Sequence, residues 1–166
     1  ETSPINQYAR TKIMAEKEIL KNPKFLILRV GIMYGYNGKS KKNGVFDQIL
    51  SGNPINLRDP NQTRQPVFVD DVPRVMIELI SKNQTGVFHL AGPERMKMID
   101  FLKDLEKIYR KESLVNIDTN PAETTLKMPK IPKNDTFDTT KAEKLGIEFT
   151  HFENALKIME KRISVN

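Results

Sequence analysis

Two kinds of hydrophobic pattern alternate along the chain. Residues 25–30 and 86–90 are nearly continuous apolar runs, which are typical of strands buried on both faces of a parallel sheet. Elsewhere, apolar residues recur every three or four positions, the spacing of an amphipathic helix. This spacing predicts helices at residues 8–21, 70–82, 98–109 and 153–163. Strands that alternate with helices predict an α/β fold.

The remaining segments are shorter or irregular. The pattern predicts short strands at 55–57 and 67–69 and short helices at 45–50 and 140–145. Residues 31–43 are rich in Gly, Asn and Lys, which favours a loop. Residues 120–138 contain three prolines and no clear period, which predicts a long surface loop.

The spacing assigns particular apolar faces to three of the predicted helices, and the face of the helix at 98–109 consists of Ile99, Leu102, Leu105 and Ile108. In the helix at 70–82, the side chain of Asp70 or Asp71 is expected to cap the N-terminus. The inward positions of this helix are Val75, Met76, Leu79 and Ile80. The partly apolar face of the helix at 8–21 consists of Ile13, Met14, Ile19 and Leu20.

Composition and charge narrow the class of protein. Hydrophobic content is 38%, charged content is 29% and there is no cysteine, which argues against disorder and excludes disulfides. No apolar run has the length of a transmembrane helix, so we expect a cytoplasmic protein without a membrane partner. The net charge of +6 suits an anionic ligand or a solubilising surface. No nucleic-acid-binding motif occurs, so no nucleic-acid partner is expected.

Tyr8 and Lys12 are the strongest candidates for chemistry. Residues four apart share one face of a helix, so the phenol and the ammonium can point into one site. A neighbouring cation favours the phenolate, which makes Tyr8 a candidate proton donor to a carbonyl oxygen. The same spacing also arises by chance in surface helices, so the pair alone does not establish chemistry.

Four segments in order resemble the extended short-chain dehydrogenases/reductases. Residues 3–16, SPINQYARTKIMAE, resemble the catalytic helix of that family. Residues 25–35, FLILRVGIMYG, resemble the strand and loop that follow this helix in the family. Two later family segments resemble residues 64–72, RQPVFVDDV, and 86–92, GVFHLAG. A tail, PKNDTFDTTKA at 132–142, is similar to those of dTDP-4-dehydrorhamnose reductases and the regulatory beta subunit of methionine adenosyltransferase. The usual arginine before its proline is replaced by Ile131.

The resemblance implies the C-terminal part of an NAD(P)-binding Rossmann-type fold with a smaller substrate-binding portion. Residues 1–35 and about 65–92 would complete the Rossmann-type sheet. Residues from about 36–64 and 93–166 would form mainly the substrate-binding region. The implied reaction is the reduction of a 4-keto nucleotide sugar with NADP or NAD as cofactor, as in dTDP-rhamnose biosynthesis. The family is also compatible with a homodimer.

The resemblance also implies roles for the residues around the cofactor. Tyr8 would be the general acid for carbonyl reduction. Lys12 would favour the ionised form of Tyr8 and hydrogen-bond the nicotinamide ribose. The backbone at Gly31 and Ile32 would lie along the nicotinamide end of the cofactor, where a glycine permits close approach.

Substrate contacts are implied for three further residues. Arg64 matches a family arginine that contacts the phosphates of the nucleotide sugar, although a surface salt bridge would explain it equally well. Asn43 and Phe46 fall where the subfamily has an Asn-Phe pair near the substrate.

Charged and histidine residues elsewhere receive simpler interpretations. Arg29 ends a buried strand and is expected to form an internal ion pair with an acidic group. His89 lies within an apolar strand and is expected to be a core histidine with one satisfied hydrogen bond. His151 precedes the final helix and is expected to be exposed. No group of His, Asp and Glu has metal-ligand spacing, so no metal is assigned.

The glycine motif of dinucleotide-binding folds does not occur in this sequence. None of the 8 glycines forms GxGxxG or GxxGxxG, the turn that holds the pyrophosphate. In the family this motif precedes the Tyr-x-x-x-Lys helix. We therefore expect the chain to be the C-terminal portion of a longer protein and to be inactive by itself.

Three functions remain open from the sequence. The first is a reductase of a 4-keto nucleotide sugar. The second is a non-catalytic, dinucleotide-binding regulatory subunit of the methionine adenosyltransferase beta type. The third is a nucleotide-sugar epimerase or dehydratase, which the tail at 132–142 favours less. The Tyr8–Lys12 pair does not separate the first two, because binding proteins can retain it.

Overall fold

A computed structural model describes residues 3–35, 48–49, 51–57, 59–109, 115–117 and 131–164. The helices are α1 (Gln7–Ile19), α2 (Asp71–Ser81), α3 (Met98–Ile108), α4 (Thr140–Glu143) and α5 (Phe152–Ser164). The longer strands are β1 (Leu26–Val30), β3 (Ile55–Leu57), β6 (Gly86–Leu90) and β8 (Val115–Ile117). The two-residue strands are β2 (Met33–Tyr34), β4 (Thr63–Arg64), β5 (Val67–Phe68), β7 (Met96–Lys97) and β9 (Asn134–Asp135).

Parallel pairing dominates the described strands. β1 pairs with β6 in parallel, from Leu26 opposite Gly86 to Val30 opposite Leu90. β2 pairs in parallel with β5, and β3 pairs in parallel with β8. In a separate sheet, β4 lies between β7, which is antiparallel to it, and β9, which is parallel. The predicted α/β class is therefore confirmed.

Two hydrophobic clusters hold these elements together. One lies on a face of the β1–β6 pair, where α2 and residues around α4 cover the alternate strand residues; its fully buried members include Val75, Leu79, Phe88 and Leu90. The other contains four packed rings with centroids 5.3–5.8 Å apart: Tyr34, Phe68, Phe101 and Phe152. This aromatic cluster joins β2 and β5 to α3 and α5.

Most predicted elements agree with the structure to within about two residues, a normal uncertainty for element ends. The loop predicted at 31–43 is wrong at Met33–Tyr34, which forms β2, and the loop predicted at 120–138 is wrong at Asn134–Asp135, which forms β9. Each of these two strands has only two residues and lies in a segment without a local period, so its distant pairing partner defines it. The helix predicted at 45–50 lies largely outside the described residues.

The predicted apolar faces are only partly correct. On α2, Val75 and Leu79 are fully buried, whereas Met76 and Ile80 are 40% and 58% exposed. Helix α1 buries none of its residues, and Met14 in its predicted apolar face is 65% exposed. Periodicity correctly predicted both helices. It predicted more buried positions on each helix than the described part of the chain buries.

The two aspartates at the start of α2 do not form the predicted side-chain cap. Asp70 occupies the N-cap position without a capping hydrogen bond, and its carboxylate binds the Arg162 guanidinium of α5 at 2.5 Å instead. Asp71 is 2% exposed and accepts hydrogen bonds from the backbone N–H and the hydroxyl of Thr150, at 2.8 and 2.9 Å. Arg74 donates to the same carboxylate at 2.8 Å. Both aspartates therefore connect α2 to the C-terminal region.

Replacing Asp71 with alanine is expected to lower the free energy of unfolding by about 2–3 kcal/mol. The substitution removes charge-assisted hydrogen bonds and leaves the N–H of Thr150 without its acceptor. Asp70→Ala is the matched control and should cost about 1 kcal/mol or less, since its ion pair with Arg162 is 44% and 41% exposed. Urea denaturation of the two variants and the wild type measures the difference, and equal losses would contradict the assignment.

Candidate functional site

Helix α1 places Tyr8 and Lys12 on one face. The helix begins after Asn6, whose side-chain oxygen accepts a hydrogen bond from the N–H of Ala9 at 2.8 Å. An asparagine at this position satisfies one of the free N–H groups of the first turn. Tyr8 therefore lies in the first turn, and Lys12 lies one turn later with its ammonium 5.4 Å from the centroid of the Tyr8 ring. The Tyr8 side chain is 69% exposed.

A cavity of about 450 Å³ elsewhere in the fold contains none of the predicted site residues, whereas a cavity of about 830 Å³ contains five. The larger cavity lies between α1, the end of β1 and the β4–β9 region. The five predicted residues that line it are Tyr8, Lys12, Gly31, Ile32 and Arg64. Asn43 and Phe46 lie outside the described residues. The structure thus brings together residues that are far apart in the chain, since 56 positions separate Tyr8 from Arg64.

An ion pair joins α1 to the sheet beside this cavity. Arg29 of β1 donates to the carboxylate of Glu16 through Nε at 2.9 Å and through Nη2 at 2.6 Å. The hydrogen bond from Arg29 lowers the pKa of Glu16, and the same bond raises the pKa of Arg29. The stabilisation is therefore present above the usual glutamate pKa and is lost as the pH falls through the lowered value. The predicted ion pair of Arg29 is confirmed, but it is partly exposed rather than internal, at 33% for Arg29 and 19% for Glu16.

Gly31 is required by a contact within the protein. A Cβ at this position would clash with the backbone carbonyl oxygen of Gln65 and lie 3.6 Å from the Cβ of Ala91. The N–H of Gly31 donates to the carbonyl of Leu90 at 2.8 Å, which holds the turn after β1 against the end of β6. The close approach anticipated for a cofactor is thus made by the backbone at Gln65, while Gly31 also lines the cavity.

We expect Gly31→Ala to destabilise the protein by about 1–3 kcal/mol, the usual cost of overpacking a well-packed interior. The clash is with backbone, so no side-chain rotation can relieve it. Gly52→Ala serves as a control, because that glycine has a positive φ of 71° but no neighbouring atom within 4 Å of an added Cβ. Thermal unfolding should show a loss at Gly31 that exceeds the backbone strain cost measured at Gly52.

Arg64 is buried and held by three oxygen atoms. Its side chain is 7% exposed and donates to the carbonyls of Thr63 at 3.2 Å and Pro132 at 3.1 Å, and to the side chain of Gln62 at 2.9 Å. Burial lowers the pKa of the guanidinium, and Asp135 and Asp59 oppose that shift. An arginine nevertheless stays cationic at neutral pH. The alternative of a surface salt bridge is therefore wrong: Arg64 is a buried cation fixed mainly by neutral acceptors.

Several residues of the cavity wall were not predicted. Glu16 continues the spacing of Tyr8 and Lys12 by one further helical turn, which is a signal that the sequence contained. Asp135 and Phe137 come from the tail that resembles the reductases, and they reach the cavity because β9 pairs with β4.

Gln65 fixes the same region from inside. It is 4% exposed, donates to the carbonyl of Gly92 at 2.8 Å and accepts from the N–H of Phe137 at 2.8 Å. Nothing in its local sequence identifies this bridge.

The prediction for His151 is confirmed, whereas the one for His89 is confirmed only in its hydrogen bond, because His89 is not part of the buried core. His89 is partly buried, and its Nδ1 lies 3.0 Å from the carbonyl oxygen of Asp138. His151 is 68% exposed and lies 2.7 Å from Glu94, which also accepts from the N–H of Phe152 at the start of α5. Within the described ranges, no group of three or more His, Cys, Asp or Glu residues could hold a metal ion. In the same ranges, no helix has the length and apolar character that crossing a membrane requires.

Solved structures share the fold of this chain. A dTDP-4-dehydrorhamnose reductase from Bacillus anthracis, solved with NADP, has a TM-score of 0.79 at 20% identity, over 100% of this chain and 58% of that chain. A UDP-glucuronic acid 4-epimerase from Bacillus cereus, solved with UDP-glucuronic acid and NAD, has a TM-score of 0.74 at 24% identity, over 99% and 55%. The extended short-chain dehydrogenase/reductase fold expected from the sequence is thereby confirmed.

Curated proteins show sequence similarity over the same region. Methionine adenosyltransferase 2 subunit beta from Mus musculus is 30% identical over 169 aligned residues, which cover 93% of this chain and 49% of that protein. The probable low-salt glycan biosynthesis reductase Agl14 from Haloferax volcanii is 30% identical over 107 residues, or 61% of this chain and 35% of that protein. The chain thus spans about half the length of the beta subunit. The family model of the RmlD substrate binding domain matches residues 1–165, and the chain belongs to that family.

Proposed function

We propose that the full-length protein containing this chain reduces a 4-keto nucleotide sugar with NADPH or NADH. The observation that supports this proposal is the shared cavity: Tyr8 and Lys12 reach it from α1, and Arg64 reaches it from β4. A cavity of about 830 Å³ is within the usual range of a small-molecule site. The proposal places the protein in the synthesis of an activated deoxysugar such as dTDP-rhamnose, in the cytoplasm.

The residues present fit the nicotinamide end of a dinucleotide. The ammonium of Lys12 can donate to ribose hydroxyls, and the backbone at Gly31 and Ile32 forms the adjacent wall. A bound nicotinamide would supply the hydride that the ketone carbon accepts. The chain contains no glycine-rich turn for the pyrophosphate, so we expect the 166 residues alone to bind the cofactor weakly and to be inactive.

The chemistry assigned to this chain is proton delivery and substrate placement. The Tyr8 hydroxyl would donate its proton to the ketone oxygen as negative charge develops there. The ammonium of Lys12, next to the Tyr8 ring, would stabilise the resulting phenolate. The buried cation of Arg64 would attract the diphosphate of the nucleotide sugar and orient the ketone towards Tyr8.

The proposal is tested with the full-length protein, dTDP-4-keto-6-deoxy sugars and either reduced dinucleotide. Loss of nicotinamide absorbance that depends on both protein and sugar nucleotide is the expected result. Protein that binds the dinucleotide tightly yet turns over none of these sugars would contradict the reductase assignment.

A regulatory subunit is the second candidate, and a specific observation favours it. Five curated relatives of this chain are beta subunits of methionine adenosyltransferase 2, at 28–30% identity over 87–93% of the chain. Under this alternative the cavity would bind a dinucleotide without catalysis. Co-purification with a methionine adenosyltransferase catalytic subunit, with altered kinetics of that enzyme and no sugar reduction, would be its signature.

A further inference from the structure

Strand β6 has one edge paired with β1 and a second, outer edge. The N–H of Gly86 donates to Phe25 at 2.7 Å, and the carbonyl of Leu90 accepts from Gly31 at 2.8 Å. The even-numbered residues of β6 therefore direct their backbone groups towards β1, and those of Thr85 and Val87 point the opposite way. Among the described residues, no second strand pairs with this edge.

Lys141 occupies that edge. Its ammonium donates to the carbonyl oxygens of Val87 at 3.1 Å and Thr85 at 3.3 Å, the two groups that point away from β1. The same nitrogen lies 3.8 Å from the centroid of the Phe88 ring, a cation–π distance. A neighbouring strand would direct its N–H donors at these carbonyls, and Lys141 supplies the donors in its place.

The preceding residues run along the same strand. The carbonyl of Asp138 lies 3.0 Å from Nδ1 of His89, and the ring of Phe137 packs edge-on against the His89 ring at 5.5 Å. The Asp138 carboxylate accepts from the N–H of Thr140 at 3.0 Å, which starts the turn that carries Lys141. We call residues 137–141 the edge clasp.

We propose that the edge clasp prevents β6 from pairing with β6 of a second copy of this chain. The strand, GVFHL, has no charged residue and no proline, the composition of an edge that adds strands readily. Two such edges can pair in antiparallel fashion about a twofold axis, because the same surface then serves both copies. A lysine on an exposed edge is a device that opposes such pairing.

The proposal is tested in the full-length protein with Lys141→Met, which keeps an apolar stem but removes every donor. Lys144→Met is the matched control, because it removes the same charge from the same turn and no hydrogen bond to β6 involves Lys144 in the described residues. Lys141→Arg keeps donors at the edge. Sedimentation velocity over a range of protein concentrations is expected to show a doubled mass, relative to wild type, for Lys141→Met alone.

Amide hydrogen exchange then locates the contact. The amides of Val87 and His89 face outward, so β6 pairing should slow their exchange by roughly tenfold or more in concentrated Lys141→Met, and not in the control. Unchanged mass, equal association of Lys144→Met, or association without slower exchange at these two amides would each overturn the proposal. Loss of cooperative unfolding in Lys141→Met would also overturn it, since Lys141 would then be a general stabiliser of the fold.

Discussion

Replacing Tyr8 with phenylalanine in the full-length protein should lower kcat by roughly 10²–10⁴-fold, the range for loss of a general acid. The substitution removes the hydroxyl that would protonate the ketone oxygen and keeps the ring. Tyr8 is 69% exposed, so the free energy of unfolding should change little. Steady-state oxidation of NADPH or NADH with a 4-keto nucleotide sugar measures the first effect, and thermal unfolding measures the second.

Tyr34→Phe provides a control with the same chemical change. Tyr34 is 2% exposed within the aromatic cluster and does not line the cavity, and burial raises the pKa of its hydroxyl. Its replacement should leave kcat within about twofold of the wild type, since it touches no group of the proposed reaction. A Tyr8→Phe variant that retains full turnover would show that another group delivers the proton.

Arg64→Ala should raise KM for the nucleotide sugar by about 10- to 150-fold, with a smaller effect on kcat. A lost charge-assisted contact to a diphosphate costs on the order of 1.5–3 kcal/mol, which corresponds to that range. The substitution should also lower the melting temperature, because Pro132 and Gln62 lose their donor. Steady-state kinetics and thermal unfolding should therefore be measured on the same preparation, so that a loss of folded protein is not mistaken for a loss of substrate affinity.

A ligand-binding experiment separates the proposed substrate contact of Arg64 from its structural role. A nucleoside diphosphate such as dTDP should raise the melting temperature of the wild type and fail to do so for Arg64→Ala. Arg74→Ala is the control, since Arg74 also binds a backbone carbonyl, that of Glu148, but lies outside the cavity. If dTDP stabilises Arg64→Ala as well as the wild type, Arg64 has only the structural role.

Elements with their own local signal were predictable. The apolar runs of β1 and β6 and the periodic spacing of α2 and α3 gave their positions to within about two residues, because each pattern is contained in one segment. Strands β2, β4, β7 and β9 have two residues each, and their hydrogen bonds depend on partners far away in the chain. Their existence is a tertiary property, and no local pattern encodes it.

The site shows the same division between local and distant signals. Tyr8 and Lys12 share one helix and were expected to act together, and Arg64 was recognised from its segment. The environment of Arg64 was not predictable, because one of its acceptors is the carbonyl of Pro132, 68 residues away. The contact that requires glycine at position 31 is likewise made by the backbone of Gln65, which comes from another part of the chain.

The attachment of α1 has a consequence for experiments in different salt concentrations. Helix α1 buries no side chain, and the ion pair between Glu16 and Arg29, 19% and 33% exposed, ties it to β1. Salt screens such partly exposed charges, since the Debye length falls from about 30 Å at 0.01 M to about 3 Å at 1 M. Inhibition by salt would therefore have two causes. Salt would weaken the attraction of an anionic ligand, and it would also loosen the attachment of α1, which carries Tyr8. A Glu16→Gln variant already lacks the ion pair, so any salt dependence that it retains reports on the ligand.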